Sequence, residues 1–137
     1  MMQKHGAALY RQTEAQVQTP LELVVMLYDG ALRFVAVARD AVERRDIPAR
    51  REALSRVFAI VSELQSTLNM ESGGEIAKSL DRLYSYINER LLAVAMENRV
   101  EPLDEARRLL ETLRDGWSTI ATQTGRPGQA GTPGQPR

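Results

Sequence analysis

A chain of 137 residues with 43% hydrophobic side chains can build one domain that removes most of its apolar surface from water, and is too short to suggest two. Lysine plus arginine and aspartate plus glutamate number 18 each, so no global positive field points to nucleic acid or an anionic membrane. Cysteine is absent and His5 is the single histidine, which removes disulfides and thiolate chemistry and fits a cytoplasmic protein.

Residues 1–18 read as a mixed arm with scattered apolar positions (Ala7, Ala8, Leu9, Tyr10, Ala15, Val17), enough for a turn or two of helix against a surface but not for independent folding. The arm lacks the apolar run of a signal peptide, and no later stretch reaches the length of a membrane span. Thr19, Pro20 and Glu22 then announce a helix: threonine as N-cap, proline where no amide donor is needed, and glutamate three residues on to close a capping box. This first helix is expected to reach about Arg45.

Asp46 and Pro48 punctuate the chain before a second helix with apolar Leu54, Val57, Phe58, Val61, Leu64 and Leu68, expected to end near Met70. Ser72-Gly73-Gly74 releases a third helix whose stripe is Ile76, Leu80, Leu83, Tyr84, Ile87, Leu91 and Val94, with Asn98 as its stop. Pro102, Asp104 and Glu105 suit the start of a fourth, whose face is Leu103, Ala106, Leu110, Leu113, Trp117 and Ile120, fading near Thr122. The Gly/Pro-rich residues 123–137 offer no large apolar side chain and read as a disordered tail. Four long helices joined by short connections predict an all-α, antiparallel up-down-up-down four-helix bundle over residues 19–122.

No helix carries a histidine, so a di-metal bundle is not expected, nor a cofactor; the lone His5 in the arm, without a cysteine, gives no catalytic set, and the chain does not read as an enzyme. The informative feature is the first helix. Its polar residues Glu22, Asp29, Arg33, Asp40, Glu43 and Arg44 fall near one line, and the apolar arc covers about 240°, against about 100° or a little more for a helix with one buried face. Part of that arc is the centre of a small fold. The surplus suggests a surface for an amphipathic segment of another protein, with the arm covering it when the partner is absent. We place this surplus at Leu21, Leu23, Val25, Leu27, Tyr28 and Leu32, with Met26 on its margin. Gly30 is expected to allow close helix approach.

Tyr86 lies about 100° outside the centre of the third helix's stripe, and is a candidate exposed contact, whereas Phe58 and Trp117 read as core. The turn carrying Arg44, Arg45, Arg50, Arg51 and Arg56 has two readings. One is a solvated loop favourable to a helix C-terminus; the other is a docking spot for an acidic partner.

Taken together, Thr19-Pro20 with LELVVMLYDGAL from Leu21 to Leu32, the ESGGEIA segment from Glu71 to Ala77, LDRLYSYINERLLAVAMEN from Leu80 to Asn98, and LLETLRDGW from Leu109 to Trp117 resemble the flagellar secretion chaperones of the FliS family. The resemblance implies a four-helix bundle that binds the C-terminal segment of flagellin in the cytosol, prevents premature polymerisation, and delivers it to the flagellar type III export apparatus. It also implies that the client wraps around the bundle with its helices in surface grooves, one of which the chaperone's own N-terminal segment can fill. Tyr10 matches an N-terminal tyrosine that the family uses toward the export gate. The free protein is then expected to be a monomer or weak dimer. Two rivals stay open: a self-associating structural bundle whose extra apolar face meets its own copy, and a chaperone of another late substrate such as the filament cap.

Overall fold

The computed structural model describes residues 19–125, in which four helices follow one another with no strand among them: α1 Pro20–Arg44, α2 Ile47–Ser66, α3 Gly74–Glu97 and α4 Val100–Gly125. The expected arm, with Tyr10, and the expected tail beyond Gly125 lie outside the described residues.

The helix ends follow from local chemistry. At the start of α1 the amide of Thr19 donates to the Glu22 carboxylate and the amide of Glu22 donates to Oγ1 of Thr19, both at 3.1 Å, which is the reciprocal capping box. Arg45, in the left-handed region at φ 57°, ends α1. Asp46 then caps α2 by accepting from the Ala49 amide at 3.1 Å, with proline in the first turn. That amide, with the Arg44 guanidinium, holds the Asp46 carboxyl below the ordinary carboxylate range.

The second helix stops at Ser66, four residues before the expected Met70. Thr67 turns back on the Leu64 carbonyl through its amide and its hydroxyl, and the Asn69 side chain accepts from the amides of Glu71 and Ser72. These bonds satisfy groups a longer helix would have used. Gly74, at φ 59°, opens α3, and Asn98, at φ 52°, closes it in the left-handed conformation. The fourth helix begins at Val100, two residues before Pro102, and continues to Gly125, past the expected Thr122. Proline is accepted there because the first turn has no partner for its amide.

Backbone packing divides the described residues into two compact units. One holds residues 27–113, and therefore α2, α3 and the larger parts of α1 and α4. The other groups residues 19–26 with 114–125.

Within the larger unit, α2 and α3 make the closest backbone pairing. Their register is fixed by Arg50 to Asn98, Ser62 to Asn88, and Gln65 to Asp81 and Ser85, so the two run antiparallel. The same register sets the buried Leu54, Val57, Val61 and Leu64 of α2 level with the buried Val94, Leu91, Ile87 and Tyr84 of α3. Both stripes have the 3-4-3 spacing of a helical packing seam. From α1 come Tyr28, Ala31, Val35, Ala38, Ala41 and Val42, and from α4 Leu103, Ala106 and Leu110, all buried. Arg39 of α1 joins Asp104 of α4 through two hydrogen bonds, at 2.9 and 3.2 Å. Arg90 of α3 meets Glu105 of α4 at 3.0 Å.

Four side-chain expectations change here, one of them Ile120 of the α4 face, which is 42% exposed. Phe58 is not core: it is 51% exposed, since the α2 seam is complete without it. Ile76 is likewise exposed, one residue before Ala77, the first buried residue of α3. Gly30 is buried, yet a Cβ there would meet the Ile60 side chain at an ordinary 3.6 Å, so close helix approach does not require glycine.

Candidate functional site

The residues singled out on α1 do not form one exposed face. Tyr28 is fully buried (0% exposed), and its hydroxyl shares a hydrogen bond with that of Tyr84 on α3, so it is a core residue and not part of the surface. The apolar ring has gone inside and its polar tip has found another polar tip, which is how a buried tyrosine is satisfied. Leu21, Leu23 and Val25, in the smaller unit, are half-buried, and Met26 at the edge of that unit is exposed. Leu27 and Leu32, in the larger unit, are half-buried. Val37, on the arc but not among the residues chosen, is exposed.

Tyr86 projects from α3 with 38% of its surface exposed, and its hydroxyl donates to the Glu105 carboxylate of α4 at 2.5 Å. That bond, and partial burial, raise the phenol's pKa above its ordinary 10. Its edge is open to solvent while its polar end is held by the α3–α4 ion pair.

A concave, largely apolar surface lies elsewhere, on the outer side of the α2–α3 pair. It is a groove of about 740 Å³. Its apolar part is Leu54 and Phe58 from α2 with Leu91, Leu92 and Ala95 from α3. Phe58 and Leu92 sit at the same level of the antiparallel register as Ser62 with Asn88, one turn away, and both point outward, Leu92 being 60% exposed. Met96, one turn beyond Leu92, is exposed as well.

One end of the groove is neutral and polar, with Ser62, Gln65, Ser85 and Asn88, and the other is cationic, with Arg50 and Arg51. Asn88 donates to the Ser62 hydroxyl at 3.4 Å, and the other end of its amide has no partner. None of the client-contact residues chosen from the sequence lines this groove, although Arg50 and Arg51 of the arginine-rich turn do. The signal was present: each seam is complete at 3-4-3 spacing, and Phe58 and Leu92 are second large apolar residues beside it at matching levels.

Such a surface can do little covalent chemistry. No group of three or more His, Cys, Asp or Glu side chains among the described residues could hold a metal ion. No helix among them is long and apolar enough to cross a membrane. An open apolar channel between two helices, with polar ends, has the shape and chemistry that receive one face of an amphipathic helix.

Comparison with known proteins gives the same direction. The family model "Flagellar protein FliS" matches residues 2–124. The chain is 38% identical over 110 residues to the flagellar secretion chaperone FliSB of Pseudomonas aeruginosa, covering 79% of this chain and 87% of that one. It is 33% identical over 125 residues to the flagellar secretion chaperone FliS of Bacillus subtilis, covering 91% and 92%. A solved structure described as a flagellar chaperone from bacteria superposes with a TM-score of 0.70 at 18% identity, over 88% of this chain and 98% of that one, which shows the shared helical fold. The chain therefore belongs to the FliS family of flagellar secretion chaperones, and is a chaperone rather than an enzyme.

Proposed function

We propose that this chaperone holds the C-terminal amphipathic segment of flagellin as a helix in the α2–α3 groove, keeps it from polymerising early in the cytosol, and delivers it to the flagellar type III export apparatus. The observation that carries the reading is the groove, with Phe58 and Leu92 outward at one level of a pair whose core is already complete without them. Covering the exposed halves of these two side chains contributes about 1 kcal/mol each before ordering costs. Single contacts of that size do not hold a disordered segment, so the client must lay down several apolar residues at once. On this reading Met26 and Tyr86 are further contacts along the client's path, Leu21, Leu23, Val25, Leu27 and Leu32 support it, and Tyr10 serves the export gate.

The test is co-elution on a sizing column with flagellin and with flagellin lacking its C-terminal segment. A one-to-one complex with the intact client alone, weakened at least tenfold in Phe58→Ala/Leu92→Ala, is the expected result. An undiminished complex with the double variant places the client elsewhere on the chaperone. No complex with either client, and elution as a dimer, favours the self-associating bundle.

A further inference from the structure

The groove ends at a buried cation that has no anion. Of the charged residues described, Arg50 is the one that is buried, at 9% exposed, and it lines the groove. Its Nη1 donates to the Asn98 side-chain oxygen at 2.9 Å, its Nε has no acceptor, and no carboxylate among the described residues pairs with it. The rest of the arginine-rich turn is accounted for. Arg44 is paired with Asp40 and Asp46, Arg56 with Glu52 while its guanidinium also lies over the Phe34 ring at 5.8 Å, and Arg45 is exposed to water.

A guanidinium stays protonated, so its burial leaves a charge to be compensated. The C-terminal end of α3, reached through Asn98, offsets part of it. A neutral acceptor on one of five N–H groups is incomplete compensation for a buried charge, and a carboxylate supplies a charge-assisted partner. Arg51, exposed, adds a second cation at the same end. Glu89 is the one carboxylate on the groove wall. By helical rise it lies about 13 Å along α3 from Asn98.

Resting on the reading that the groove takes a flagellin helix, we infer that this helix docks with its C-terminal end over Arg50 and Arg51, an acidic side chain in its last turn pairing with Arg50. The occupant then runs parallel to α3 and antiparallel to α2. Its apolar anchors cover Phe58 and Leu92, the negative end of its dipole faces the two cations, and its N-terminal end lies over the neutral Ser62, Gln65, Ser85 and Asn88.

The experiment titrates the chaperone with a peptide of flagellin's C-terminal segment, amidated so that its only carboxylates are side chains, and carrying in a second version a nitroxide at its C-terminal end. Expected are binding that weakens as salt rises, a loss of tenfold or more in Arg50→Gln with a flatter salt dependence, partial retention in Arg50→Lys, and about threefold loss in the exposed, structurally neutral Arg51→Gln. Asn98→Ala stays within about twofold of wild type, and the nitroxide broadens amides near Arg51 and Ala95 but not near Gln65 and Asp81. Arg50→Gln within twofold of wild type, an Asn98→Ala loss equal to it, an unchanged Arg51→Gln, or broadening at the Gln65 end would each overturn the inference while leaving the groove as the client's seat. Failure of the unaltered chaperone to bind the peptide at all would overturn the reading beneath it.

Discussion

Gly73 has no room for a side chain. A Cβ there would stand 2.5 Å from the Ala77 Cβ and 2.6 Å from the Asn69 carbonyl oxygen, and neither neighbour is the mobile tip of a long side chain. Gly73→Ala must therefore displace the start of α3 or the turn before it, and is expected to cost about 2 kcal/mol or more in urea unfolding. A second prediction concerns Thr19, whose hydroxyl and amide make both halves of the α1 capping box. Thr19→Ala should cost about 1 kcal/mol, with hydrogen exchange accelerated in the first turn of α1. Both features were readable as sequence, because capping boxes and double glycines are written in consecutive residues. Phe58 was not: whether a large apolar residue beside a stripe is core or surface depends on how close the facing helix comes. Tyr28 was misplaced for a related reason, since a partner for its buried hydroxyl comes from Tyr84, far along the chain.

At the scale of the helices, position in chain order was legible and exact ends were less so. Asn98 and Pro48 mark their helix ends from sequence, but the Asn69 turn that stops α2 at Ser66 depends on side-chain bonds which periodicity does not reveal. Pairing between helices brings a pH dependence. Hydrogen bonds from Arg39 of α1 hold the Asp104 carboxyl of α4 below its ordinary value of 3.8. A carboxylate with a lower pKa folded than unfolded contributes stability that is complete above the unfolded value and is lost as pH falls through the folded one. Thermal stability should accordingly hold level from neutral pH down to about 4 and decline below it. Asp104→Asn should be less stable than wild type at pH 7 and show a shallower decline in acid, as read by melting curves between pH 3 and 7. Melting temperatures that fall in parallel for both proteins would remove Asp104 from that dependence.

For the molecule as a whole, an apolar excess on α1, in a sequence with no cysteine and no histidine in a helix, already pointed toward a protein-binding bundle. What could not be read was which surface is concave. That depends on the α2–α3 register, and on two seams that leave Phe58 and Leu92 outside at one level. The family assignment supplies the chaperone role, and the groove is the seat we propose for the client. The measurement that tests this seat most directly is an amide chemical-shift map of the isotope-labelled chaperone, titrated with the C-terminal segment of flagellin. The account predicts that the largest changes cluster at Leu54, Phe58, Leu91, Leu92 and Ala95, and are suppressed in Phe58→Ala/Leu92→Ala. Saturable changes confined to α1 and α4, with these five residues unmoved, would contradict it.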